Sequence, residues 1–200
     1  MKILKLLQAD VFIKNNIGTP EQRQEMITIA QNVKTAMAQQ GMDFSNDGCW
    51  RHEFDYENID WLKEEIRDSV NNAIDYYIEN DPSYGNKVAN YQSPEVTYWT
   101  NINEINSRNV MHDHRLHHYV AVYYLQGKDT GEITWHNPMN VLESCHPHAP
   151  FMTKFSYDPQ DGDLLVWPAW MPHETAINTS TQQRINVAFN IRFQTQKHIK

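Results

Sequence analysis

A chain of 200 residues with 40% apolar and 12% aromatic content is long enough to bury a core and too apolar to stay disordered. Its formal net charge of −8 argues against a general nucleic-acid binder and against a polybasic membrane surface. Two distant cysteines, Cys49 and Cys145, give no disulfide framework, and no apolar run approaches the roughly 20 residues of a membrane span, so the expectation is a cytoplasmic protein with reduced thiols.

Thr19-Pro20-Glu21-Gln22 reads as a helix start: Thr as N-cap, Pro at the first helical position, Gln three residues after the cap. The helix is predicted near 20–40, with Met26, Ile29, Ala30, Val33 and Met37 on one face and Gly41 as its stop. A second is predicted near 60–80, with Leu62, Ile66, Val70, Ala73 and Tyr77 as its stripe and Asp81-Pro82 as its end. From Pro94 onward the pattern changes to short strands, near 95–102, 118–126, 131–135, 151–157, 163–167, 172–176 and 184–193. Turn signals such as Gly127, Gly131, Asn137-Pro138 and Asp161-Gly162-Asp163 punctuate them.

The last strand separates two faces. Ile185, Val187, Phe189, Ile191 and Phe193 lie on one, Arg184, Asn186, Ala188, Asn190 and Arg192 on the other. Covering the apolar face with the two helices leaves the polar face to line an interior, where a buried Arg184 needs an anionic partner. The fold class is therefore expected to be α+β: a jelly roll, or double-stranded β-helix, with N-terminal helices packed on one sheet. No linker splits the chain, so one domain is expected over 1–200, with helical support over about 1–90 and a strand core over about 94–193.

Of ten histidines, most have no necessary role. His112 and His114 stand one residue apart, and on a strand they would point the same way. His173, in Pro172-His173-Glu174, can bring a third imidazole from a distant strand and close a facial triad with open metal positions. Arg184 follows eleven residues later, where its fork could hold an anion beside that metal. The loop near 137–150, with Cys145, His146 and His148, is expected to border the mouth of the site.

His112-Asp113-His114, Val122-Tyr123-Tyr124-Leu125, Gly131-Glu132-Ile133-Thr134-Trp135, Gly162 to Pro168, Pro172-His173-Glu174 and Arg184-Ile185-Asn186 come in an order that resembles the core of the 2-oxoglutarate- and iron(II)-dependent oxygenases. The nearest branch is the prolyl-hydroxylase-like one, including a group of bacterial and phage proteins. The resemblance covers roughly residues 95–193. It implies Fe(II) and O2 at the histidines, and 2-oxoglutarate as co-substrate. It also implies that Arg184 and Tyr123 bind the far carboxylate, with Asn186 assisting. A protein or peptide side chain is the substrate class it suggests.

One departure stands out. The family pattern is His-x-Asp or His-x-Glu, and here the third position is His114. Three readings follow: His114 is a ligand in a three-histidine site, Asp113 reaches the metal through a bulge, or the carboxylate is lost and the site is weak or inactive. The rival in another class is a cupin-like three-histidine metal-binding protein, or a dioxygenase that does not use 2-oxoglutarate. Substrate and oligomeric state are not readable at this level.

Overall fold

The computed structural model describes residues 10–37, 45–88, 94–138 and 154–194. In chain order the elements are β1 (Phe12–Lys14), α1 (Pro20–Ala36), β2 (Asn46–His52), α2 (Asp60–Asn80), α3 (Pro82–Val88), β3 (Glu95–Asn109), β4 (Tyr119–Gln126), β5 (Ile133–His136), β6 (Lys154–Tyr157), β7 (Leu164–Pro168), β8 (His173–Thr175) and β9 (Arg184–Arg192). No helix among the described residues is long and apolar enough to cross a membrane.

The start of α1 is the reciprocal capping box that the sequence predicts. Gln22 N donates to Thr19 Oγ1 at 3.2 Å, and Thr19 N donates to Gln22 Oε1 at 2.8 Å. The helix closes at Ala36, short of the predicted end, and Gly41 lies outside the described residues. α2 has the predicted bounds and buries Leu62, Ile66, Val70 and Ala73 from its stripe. Asp81-Pro82 ends it as expected, but the same pair also starts α3. Asp81 Oδ1 accepts from Ser83 N at 3.0 Å, so the aspartate caps the new helix while the proline tolerates its first turn.

Two antiparallel sheets form the strand half, a six-stranded one in the order β1-β7-β4-β9-β3-β2 and a three-stranded one in the order β6-β5-β8. β1 and β2 come from the half of the chain read as helical, and they extend the large sheet at both edges. β3 runs to Asn109, seven residues beyond its predicted end, in a stretch too polar to read as a strand: Asn103 pairs with Arg184 of β9, and after a register shift Arg108 and Asn109 pair with Asp47 and Asn46 of β2.

β9 lies between β4 and β3, so both of its hydrogen-bonding edges are paired. Ile185, Val187, Phe189 and Ile191 share one cluster with Met26 and Ala30 of α1 and Leu62, Ile66 and Val70 of α2. Burial of such side chains stabilises by roughly 1.5–3 kcal/mol each. The other face turns toward the small sheet. There Ala188 joins Trp99, Val120, Val122, Tyr124, Trp135 and Trp167 in a second cluster. The jelly roll with helices on one sheet is therefore the observed fold, and its interior is the space behind Arg184, Asn186 and Ala188.

Candidate metal centre

Three imidazoles meet between the sheets. His173 opens β8, and its main chain exchanges two bonds with His112: His112 N to His173 O at 3.0 Å and His173 N to His112 O at 2.9 Å. This isolated antiparallel bridge brings the two rings to 4.3 Å between centroids. His114 is not on a strand, so the period-2 argument for its direction does not apply. Its amide donates instead to Ala169 O at 2.9 Å, just past β7. That fastening holds its ring 5.0 Å from His112 and 5.2 Å from His173. One ring nitrogen of each histidine lies within 4.8 Å of the others, a spacing that one ion could gather.

Two of the rings are oriented by the main chain. His112 Nδ1 donates to Val110 O at 2.7 Å and His173 Nδ1 to Met171 O at 3.0 Å, in each case the carbonyl two residues earlier. With the proton held at Nδ1, each Nε2 keeps its lone pair for a metal. Burial is the main cause that lowers the pKa of all three: His112 moves down, His114 falls to about 4, with the His112 charge as its second cause, and His173 lies well below its ordinary value. All three are then neutral near pH 7, the protonation state that ligates a divalent cation. Asp113 is not in the cluster. Its carboxylate is held by Arg115, whose Nε donates at 2.8 and 3.0 Å.

A cavity of about 460 Å³ opens onto the histidines, within the roughly 300–1,000 Å³ usual for small-molecule sites. Trp99, Tyr124, Thr175, Asn186 and Asn190 are among the residues lining it. Asn186 is buried, and its Oδ1 accepts from Asn101 Nδ2 at 2.9 Å. Thr175 shares the inward face of β8 with His173, and its Oγ1 accepts from Arg184 Nη2 at 2.8 Å.

Arg184 is fully buried behind that wall. Nη1 donates to Thr130 O at 2.9 Å and to Ala176 O at 3.2 Å, while Nε has no hydrogen-bond partner among the described residues. Among the described residues no carboxylate pairs with it, and its protein acceptors are neutral. Gly131 leaves room for this guanidinium. Its φ is +103°, and an added Cβ would stand 3.3 Å from Arg184 Nη1.

Tyr123 was expected beside Arg184, and the structure corrects this. β4 pairs Tyr123 with Val187, so its side chain faces the helices, and its hydroxyl donates to Ile17 O at 2.7 Å. Tyr124 pairs with Asn186, faces the interior and lies close enough to Arg184 to feel its charge. Both faces of β4 are apolar and buried, so alternation alone could not choose between neighbouring tyrosines. Thr175 was also missed, although its place two residues after His173 on one strand was the available signal. Cys145, His146 and His148 lie outside the described residues, as does most of the loop expected at the mouth.

Residues 97–190 match a family described as "Putative 2OG-Fe(II) oxygenase". No curated protein matches the chain in sequence. Among solved structures, a Pseudomonas putida prolyl-4-hydroxylase is 11% identical, with a TM-score of 0.61 and 92% of each chain covered. A viral collagen prolyl hydroxylase from Paramecium Bursaria Chlorella virus-1, solved as a 2OG complex, is 9% identical with a TM-score of 0.57, over 90% of this chain and 94% of that one. HygX from Streptomyces hygroscopicus, with nickel and 2-oxoglutarate bound, is 10% identical with a TM-score of 0.57, over 92% of this chain and 83% of that one. At these identities the likeness is one of fold.

Proposed function

The strand half of this chain carries the family match and the fold of the 2OG-Fe(II) oxygenases, prolyl hydroxylases among them, and from that premise we propose that the protein is a 2-oxoglutarate- and iron(II)-dependent dioxygenase that hydroxylates a C–H bond. The observation that carries the reading is the convergence of three neutral imidazoles at one end of a cavity whose wall is backed by a buried, acid-free arginine. His112, His114 and His173 would hold the iron. Arg184, with Thr175 and Tyr124 between it and the cavity, would receive the far carboxylate of 2-oxoglutarate, and Asn186 would border its path.

Iron(II) with 2-oxoglutarate and O2 supplies the oxidative decarboxylation that yields succinate and the oxygen atom placed on the substrate. The chain's own share is binding and exclusion of water. Neutral imidazoles leave the full charge of a divalent ion in place, and Arg184 adds another positive charge in a dry interior. Both favour a dianionic co-substrate. The apolar surfaces of Trp99, Val120 and Val122 keep bulk water from the space beside the histidines. A peptide or protein side chain is the substrate class this reading takes from the two prolyl hydroxylases it resembles in fold.

The test is anaerobic addition of 2-oxoglutarate to the Fe(II)-loaded protein. A new visible absorption band and, after air is admitted, succinate formation are expected. A histidine where the family places a carboxylate favours one second reading, a three-histidine cupin-like metal protein that does not use 2-oxoglutarate. Iron binding with no spectral response and no succinate would select it.

A further inference from the structure

His112 and His173 are each oriented by the carbonyl two residues before them, and His114 has no such carbonyl among the described residues. An unoriented imidazole is a poor ligand, because ring rotation and tautomer exchange must be frozen when the metal binds. Two neighbours stand around this ring. Trp99 of β3 stacks on it with centroids 5.9 Å apart and planes 19° apart, and the Arg51 guanidinium lies 4.4 Å over the same indole. Asn190 of β9 lines the same cavity, brought to the ring by the register that pairs it with Val120 and Thr97.

The Asn190 amide oxygen is buried and completes no hydrogen bond of ordinary geometry among the described residues. Left so, it costs about 1–3 kcal/mol, which makes it an acceptor in want of a donor. The His114 N–H opposite the metal-facing nitrogen is the donor at hand.

We propose that Asn190 is the positioning residue for His114: its amide oxygen accepts the ring N–H not directed at the metal, and with the Trp99 stack it supplies the orientation that main-chain carbonyls give the other two ligands. This rests on the three-histidine metal reading above. It also gives a reason why a histidine can stand at this position: β9 carries an amide where it can orient an imidazole, whereas a carboxylate would need no such acceptor.

The experiment is anaerobic Co(II) titration of the full chain without 2-oxoglutarate, followed by visible d–d absorption and by calorimetry. Asn190→Leu is expected to weaken Co(II) binding about 10- to 100-fold, the usual loss when a group that orients a metal-bound histidine is removed. Asn190→Asp keeps the acceptor and should restore the wild-type dissociation constant or tighten it. In a His114→Ala background Asn190→Leu should have no further effect, because the interaction it removes is already gone. Asn190→Ala serves in place of the leucine variant if that one does not fold. Unchanged affinity on truncation, or an undiminished loss in the His114→Ala background, would overturn the assignment of Asn190 alone. A wild-type chain that takes up no Co(II) would overturn the metal reading, and this inference with it.

Discussion

Two adjacent tyrosines on β4 should respond to the same substitution in opposite ways. Tyr123 and Tyr124 are both buried, and they differ in which face of the sheet they occupy. Tyr123→Phe removes the bond to Ile17 O at 2.7 Å, and that carbonyl keeps only a long contact from Arg23 Nη1 at 3.4 Å. The loss should be about 1 kcal/mol of stability, the net value of one neutral hydrogen bond. For a chain of this size that is a fall of about 2–4 °C in Tm. Its 2-oxoglutarate requirement should not change. Tyr124→Phe should leave Tm nearly unchanged, because its hydroxyl makes no hydrogen bond among the described residues. If the hydroxyl helps receive the far carboxylate, losing a bond to a charged group costs about 1.5–3 kcal/mol, or about 10- to 150-fold in the concentration of 2-oxoglutarate needed. The assays are thermal unfolding and 2-oxoglutarate-dependent succinate formation. A raised requirement in Tyr123→Phe with none in Tyr124→Phe would refute the facing argument.

Three further outcomes are expected. His114→Ala should weaken Co(II) binding by more than about 100-fold, beyond the loss of an orienting group, whereas Asp113→Asn should change it less than about threefold, since Asp113 is held by Arg115 away from the cluster; the reverse order, read by calorimetry, would restore the Asp113 ligand. The metal-free protein should be acid-labile: the folded pKa of His114 is pushed to about 4, so the unfolded chain binds more protons below its ordinary value of 6.5, and stability present above about 6.5 is lost as pH falls toward 4. Urea midpoints that stay flat over that window would contradict the burial of the ring. Leu62→Ala, at a fully buried site shared by α2 and the large sheet, should cost about 2–5 kcal/mol and lower the midpoints of helix and indole signals together, as proposed for one domain; separate transitions would divide it.

The legible parts of this fold are those in which one residue carries its own geometric instruction. The capping box at Thr19 and Gln22 fixes a helix start through two bonds within four residues, and α1 begins there. β9 was legible because its two faces differ in polarity. β4 was legible as a strand but not in its facing, since a strand covered on both sides shows no alternation, and Tyr123 was assigned to the wrong face for that reason. His112 and His114 converge as expected but by another route. A backbone bridge and a bond to Ala169 place them, and neither can be read from spacing. Trp99, Thr175 and Asn190 come from three different strands, and their shared neighbourhood exists only once β3, β8 and β9 are in register.

The charge balance of the site explains why an acidic chain can suit an anionic ligand. The whole chain carries −8, yet the described lining of the cavity holds two arginines, Arg51 and Arg115, against one carboxylate, Asp113. Among the described residues Arg184 donates to neutral acceptors. Arg51 lines the wall, and the largely exposed Glu53 lies 3.6 Å from its guanidinium. Asp113, the acid nearest the histidines in sequence, is neutralised by Arg115. A divalent ion held by three imidazoles would therefore add positive charge beside one lining carboxylate among the described residues, Asp113, which Arg115 already pairs. Burial makes that excess costly when it is unmet and strongly favourable when an anion meets it. On the proposed reading, His114 in place of the usual carboxylate would move the neutralisation from the protein to the co-substrate, and metal and dianion should then each tighten the binding of the other by the same factor.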